Sequence, residues 1–234
     1  MTDFTDALGA AAALVFGLDA SLTEIVMLSL RVSLSAVAIA ALIGLPTGAL
    51  LALYRFRGRF FLVVSMNALM GLPPVVVGLI VYLLLSRAGP FGVFGLLFTP
   101  AAMIIAQVLL VTPIIAALTR QVIEDLWIEY EEQMRSLGAG PSRAMPALLW
   151  DGRFTLITAI LAGFGRASAE VGAVMIVGGN IDHVTRVMTT SIALEVSKGN
   201  LALALGLGII LLVLSAGING AAYIIQHRTK RWHA

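Results

Sequence analysis

Arg166 and Glu170 stand four residues apart in Gly163-Phe164-Gly165-Arg166-Ala167-Ser168-Ala169-Glu170-Val171-Gly172-Ala173, a stretch otherwise made of apolar and small residues. At this spacing on a helix the two side chains share a face and can pair. Each charge would cost about 2.5–3.5 kcal/mol near the centre of a bilayer, so the pair is expected to face a bundle interior or a water-filled path. It then either pins helix packing as a self-neutralised pair or stands beside a translocation path or gate. Thr189, Thr190 and Ser191 present three successive hydroxyls, which can donate to the oxygens of an oxyanion or serve as a helix cap and packing face. Met70-Gly71-Leu72-Pro73-Pro74 removes two successive backbone donors, which predicts either a tolerated kink or a broken helix whose freed carbonyls meet a substrate or form a gate. None of these groups does covalent chemistry. The chain has no Gly-x-x-x-x-Gly-Lys-Ser/Thr, no His-Glu-x-x-His and no cysteine. We therefore expect neither an enzyme nor a site for ATP or a metal in this chain, and His183 alone is no metal site. Nothing points to nucleic acid.

The elements that must position these residues are membrane spans. The 234 residues are 59% hydrophobic and 12% charged, with a mean hydropathy of +0.99, against about 25% charged in soluble domains. Five runs are long enough for a core that needs about 20 apolar residues: Ile25–Leu53, Phe60–Leu85, Phe94–Leu118, Phe154–Val177 and Leu201–Ile225. An all-α polytopic membrane protein follows; barrel-type alternation is absent. Arg55, Arg57 and Arg59, then Arg120, Arg135, Arg143 and Arg153, then Arg228, Lys230 and Arg231 fall in alternate connections. The positive-inside bias places those on the cytoplasmic side, with the amino terminus outside and the basic tail 227–234 inside. Ala7–Leu18 is too short to span and lacks the positive n-region of a signal peptide, so residues 1–24 read as an outer interfacial segment. Arg31, close to the outer end of its span, can snorkel to water or attract an anion.

Between the third and fourth runs lies a polar interruption, residues 121–153. Its centre reads Glu131-Glu132-Gln133-Met134-Arg135-Ser136-Leu137-Gly138-Ala139-Gly140-Pro141-Ser142-Arg143. A helical stretch meets a Gly-Ala-Gly-Pro break and a second short helix runs on to Trp150. Gly138 suits a left-handed helix end and Pro141 a helix start. Two short helices around a glycine offer a firm surface to a soluble partner. On the opposite side, residues 178–200 carry Asp182, His183, Arg186 and the three hydroxyls with an apolar face, the pattern of an amphipathic helix at the outer surface.

The interruption resembles the cytoplasmic coupling loop of permease subunits of ATP-binding-cassette importers: Glu132 matches the loop's glutamate and Leu137-Gly138 its Leu-Gly, while Gln133 and Met134 stand where alanines are usual. Arg166-Ala167-x-x-Glu170-Val171-Gly172 resembles the motif of the molybdate, sulfate and tungstate branch, and Val177-Gly178-Gly179-Asn180-Ile181 with Thr189–Glu195 is similar to its tungstate-type members. The resemblance implies a type I importer permease acting as a homodimer, with about five spans per chain and one transmembrane domain over residues 1–234, in a bacterial or archaeal cytoplasmic (inner) membrane. It implies two ATPase subunits, which bind ATP and Mg, meeting the loop at Glu131, Glu132, Arg135, Leu137, Gly138, Pro141 and Arg143. It also implies an extracytoplasmic oxyanion-binding protein, and a path or gate near Pro73, Pro74, Arg166, Glu170, Thr189, Thr190 and Ser191. Tungstate is the expected cargo; molybdate, vanadate and sulfate remain alternatives, as does an ATP-independent channel or secondary anion transporter.

Overall fold

The computed structural model describes residues 20–230. The segment read as an outer interfacial helix, Ala7–Leu18, and residues 231–234 of the basic tail lie outside it. Every regular element in the described residues is helical: α1 (Ala20–Leu53), α2 (Arg59–Met70), α3 (Pro74–Leu85), a 3-10 turn (Gly92–Phe94), α4 (Pro100–Ser136), α5 (Pro141–Asp151), α6 (Arg153–Ser168), α7 (Gly172–Gly178), α8 (Met188–Ser197) and α9 (Leu201–Lys230). α1, α4 and α9 are each long and apolar enough to cross a membrane. Five spans result if two broken helix pairs, α2 with α3 and α5 with α6, each count as one.

The chain divides into two compact units, and α1 and α4 run continuously from one into the other. One unit holds residues 20–35, Pro73–Gln107 and Ser168–Gly220. Leu22, Met188 and Leu207 form a buried cluster there, flanked by Ile25, Ile192 and Leu203. The Met188 N–H donates to Ser29 Oγ at 2.7 Å, fixing the start of α8 on α1. α3 packs on α7. Gly78 permits this approach, since a Cβ there would lie 2.7 Å from the Ala173 Cα.

The other unit holds Ala36–Leu72, Val108–Ala167 and residues 221–230. Here α1 lies against α4 through two glycines one turn apart. A Cβ on Gly44 would come within 3.0 Å of the Ile115 side chain, and one on Gly48 within 2.4 Å of the Ala116 carbonyl oxygen. Such small-xxx-small spacing replaces side-chain bulk with backbone contact, the usual means of packing helices in lipid. Below it, Ala49, Ala52 and Leu53 of α1, Ile123 and Trp127 of α4, and Ala144 and Leu148 of α5 make a buried core. α5 is bent by 75° from α6 at Gly152. α2 has no buried residue.

Two expectations change. Residues 154–177 do not form one continuous span: α6 ends at Ser168, and Ala169–Val171 separate it from α7. Arg166 and Glu170 are therefore not one turn apart on a single helix. The cause is local, because the Ala173 N–H donates to Glu170 Oε1 at 2.9 Å, so the carboxylate caps a new helix start. Residues 178–200 likewise form a helix only over Met188–Ser197, and its buried face is polar, comprising Thr190, Ser191 and Glu195 beside Met188. At the far end, α9 continues as helix to Lys230, into part of the expected tail.

Candidate functional site

Two regions carry the residues singled out above. The first is the 121–153 segment. α4 does not stop with its apolar run. It continues past Leu118 for five further turns to Ser136 because Gln121–Arg135 are good helix formers with no proline or glycine among them. Glu131 and Arg135 pair one turn apart at 2.6 Å. Glu129, with a smaller effect from Asp151, pushes the Tyr130 phenol pKa up.

The helix ends by a Schellman-type cap: the Gly138 N–H donates to the Arg135 carbonyl at 3.0 Å and the Ala139 N–H to that of Met134 at 2.8 Å. Gly138 takes the left-handed conformation this requires, at φ +75. Three residues later Pro141 occupies the first position of α5, where a missing N–H costs nothing. α5 then turns Ala144 and Leu148 into the core and leaves Arg143, Pro146, Ala147 and Trp150 outside. With Glu132 and Leu137, which is 86% exposed, they make an outward surface mixing charge with large apolar groups.

Two features of this region escaped the sequence reading. Trp150 is 72% exposed, and the Arg153 guanidinium stacks over its ring at 4.7 Å and over Phe154 at 4.3 Å. A lone tryptophan before an arginine was the only available signal. Arg59 and Arg120, counted only as markers of sidedness, converge on Glu124. Arg59 donates to Glu124 at 3.0 Å and to the Leu51 carbonyl at 2.7 Å, tying the end of α1 and the start of α2 to α4. Nothing local links residues 59 and 124.

The second region is the hydroxyl segment. The Val187 N–H donates to Thr190 Oγ1 at 3.2 Å, and that hydroxyl donates to Asn180 Oδ1 at 2.8 Å. Thr189 donates to the Glu170 carbonyl at 2.8 Å. Two of the three hydroxyls are thus committed to holding the 170–190 backbone. Ser191 differs: it is buried, and its Oγ makes no hydrogen bond among the described residues. It lines a cavity of about 150 Å³ with Glu24, Asp182, His183, Arg186 and Glu195.

The carboxylates around that cavity each have a basic partner. Arg186 bonds Asp182 at 2.7 Å, and Lys198 bonds Glu195 at 2.9 Å. The latter bond holds the Glu195 carboxyl below the usual carboxylate range despite its burial. His183 bonds Glu24 at 2.7 Å, which raises the imidazole pKa. Pro73 and Pro74 sit at the cap and first position of α3, so the double proline starts a helix rather than kinking one. Glu170 is 3% exposed; Arg166, in the last turn of α6, is half-buried. Among the described residues no group of three or more histidines and carboxylates is placed to hold a metal ion.

The 121–153 segment is thus a long helix that leaves its apolar run, ends on a left-handed glycine and returns through a short helix with an exposed outer face. A family model for the inner membrane component of binding-protein-dependent transport systems matches residues 44–231. The chain belongs to this family. The tungstate uptake system permease protein TupB of Peptoclostridium acidaminophilum is 42% identical over 217 residues, covering 93% of this chain and 95% of that protein. A probable anion ABC transporter permease protein of Haloferax volcanii is 38% identical over 213 residues, 89% of this chain and 92% of that one. The sulfate transport system permease protein CysW of Synechocystis is more distant, 26% identical over 222 residues, 90% of this chain and 79% of that protein. The chain is thus a multi-pass permease subunit of an ABC importer, a transport component rather than an enzyme.

Proposed function

We propose that this permease carries tungstate inward as a homodimer, with its amino terminus outside and the 121–153 segment in the cytoplasm on two ATPase subunits. The observation that carries this reading is the Gly138-capped end of α4 with its return helix α5, held to α1 by the Ala52–Trp127–Leu148 core. Glu131, Glu132, Arg135, Leu137, Pro141 and Arg143 surround Gly138 and would meet the ATPase. Hydrolysis of ATP with Mg in those partner chains supplies the energy. Because α5 and α4 share a core with α1, displacement of the loop moves spans rather than a floppy tether.

An extracytoplasmic binding protein delivers the anion to the outer mouth. Alternating access then needs no tight site in the permease; differential contacts of the nucleotide with two states of its own subunit suffice to drive the change. Pro73, Pro74, Arg166, Glu170, Thr189, Thr190 and Ser191 are the path or gate residues of this proposal. Thr189 and Thr190 shape the backbone there, and Ser191 is the hydroxyl left over for cargo or water. The identity to tungstate permeases favours tungstate; the more distant likeness to a sulfate permease makes sulfate the second reading.

The test is transport by Glu132→Ala and Leu137→Ala variants assembled with their partners. Substrate-stimulated ATPase activity and uptake should both fall, with the binding protein's affinity unchanged. Normal coupled transport in both variants would remove the loop assignment. Competition of labelled tungstate uptake by sulfate and molybdate separates the cargo readings.

A further inference from the structure

Two cavities of opposite character meet at Tyr54 and Arg55. One is an apolar groove of about 590 Å³ between the end of α1 and the length of α2, walled by Leu50, Leu51, Phe56, Leu62, Met66 and Leu69. The other is a polar cavity of about 390 Å³, bounded by Trp127, Glu131, Arg135 and Pro141 of the α4–α5 turn. Tyr54 and Arg55 line both. From these observations we infer that the pair of cavities is a binding site for one anionic phospholipid, an acyl chain in the groove and the phosphate on Arg55.

Three observations select that occupant. The groove lies along a helix with no buried residue, and its wall from Leu62 to Leu69 rises about 10 Å, inside the roughly 15 Å of hydrocarbon in one leaflet. A soluble peptide cannot reach it there, whereas an acyl chain is already present. Charge then selects the headgroup. Within the polar cavity Glu131 is matched by Arg135, which leaves Arg55 as the surplus charge; it makes no ion pair among the described residues. Arg57, exposed two residues on, adds to the same sign. The apolar and polar halves join at Tyr54 and Arg55, where Arg55 is the cation for a phosphate, the layout of an amphiphile and not of a free anion. The site touches Glu131, Arg135 and Pro141, so its lipid would abut the segment that meets the ATPase. This inference requires membrane placement of α2 but not the choice of cargo, so it stands or falls separately from the transport reading.

The experiment uses the full chain in phosphatidylcholine nanodiscs with a trace of phosphatidylglycerol carrying a diazirine in its acyl chain, photolysed and mapped by peptide mass spectrometry. Label should concentrate on Leu62–Leu69 over the exposed Leu212 and Val213 of α9. Unlabelled phosphatidylglycerol should compete about fivefold better than phosphatidylcholine, the effect of one basic residue on an anionic headgroup. Arg55→Gln should erase that preference. Met66→Trp should fill the groove and lower its label while leaving α9 labelling unchanged, which shows that the variant remains folded and inserted. Equal labelling of α2 and α9, or a headgroup preference unchanged by Arg55→Gln, would overturn the proposal. Competition by glycerol phosphate as strong as by the whole lipid would make this a phosphate site and overturn it. Photocrosslinks from Met66 to a second copy, with lipid label excluded, would assign the groove to a subunit interface and overturn it as well.

Discussion

Replacing Gly138 by alanine, asparagine and valine separates two reasons for a glycine at the end of α4. A Cβ built there meets nothing within 4 Å, so no contact inside this chain opposes a side chain. What opposes it is φ +75, where an L-residue loses about 1–2 kcal/mol. That is roughly a 5–30-fold shift against the capped turn. Alanine should fall at the lower end and valine, stiff at χ1, at or beyond the upper end. Asparagine tolerates the left-handed region and should recover most of the glycine's performance. The assay is substrate-stimulated ATPase activity of the assembled transporter, with the melting temperature of the isolated permease measured alongside. The order glycine, asparagine, alanine, valine is expected in coupling, with little change in global melting because the turn is exposed. If asparagine is as damaging as valine, a side chain of any kind clashes with the partner, and the conformational argument fails. If all three couple normally, the turn does not transmit the motion.

Gly48→Ala should destabilise the permease by about 1–3 kcal/mol, seen as a lower melting temperature in detergent, because its Cβ would lie 2.4 Å from a backbone carbonyl oxygen that cannot move aside. Gly165→Ala, whose Cβ meets nothing within 4 Å, is the control and should melt normally. Glu124→Gln removes the carboxylate shared by Arg59 and Arg120 and should cost about 1 kcal/mol or less, since all three side chains are partly exposed, and the loss should shrink in high salt. The His183–Glu24 tie should depend on pH in a fixed direction. The folded imidazole pKa lies above its ordinary value of 6.5, so the contribution is full below 6.5 and is lost as pH rises through the folded value. Melting of the wild type against His183→Gln across pH 5–9 checks this; a difference that grows with rising pH would contradict it.

Length and hydropathy were enough to locate α1, α4 and α9, because each is a long run without an internal partner to contradict it. The Gly-Ala-Gly-Pro break was equally legible, since a left-handed glycine and a proline start are local requirements met by local residues. The end of α6 was not. Arg166 and Glu170 have the spacing of a helical pair, and no proline or asparagine marks the break; the interruption goes with a carboxylate that turns to the Ala173 N–H at the start of α7, and the spacing alone does not tell that local bond from a helical pair. Residues 188–197 leave more open, since three successive hydroxyls fit a helix cap and packing face as well as a site for an oxyanion. Their partners Asn180, Lys198 and Asn200, which tie down Thr190 and Glu195, follow from the turns on either side rather than from the run itself. Gly44 and Gly48, the latter among the tightest glycine contacts in the described residues, carry no mark in a run where small residues are common. Arg59, Arg120 and Glu124 show the limit most clearly, for a cluster spanning 65 positions has no signature along the chain.

The most direct test of the account is tungstate uptake into proteoliposomes holding the permease with its ATPase, the binding protein being supplied on the side of the amino terminus. Uptake should require the ATPase, ATP with Mg, and the binding protein together, and should ignore imposed proton or sodium gradients. Uptake by the permease alone, or uptake that follows an ion gradient without ATP, would contradict it.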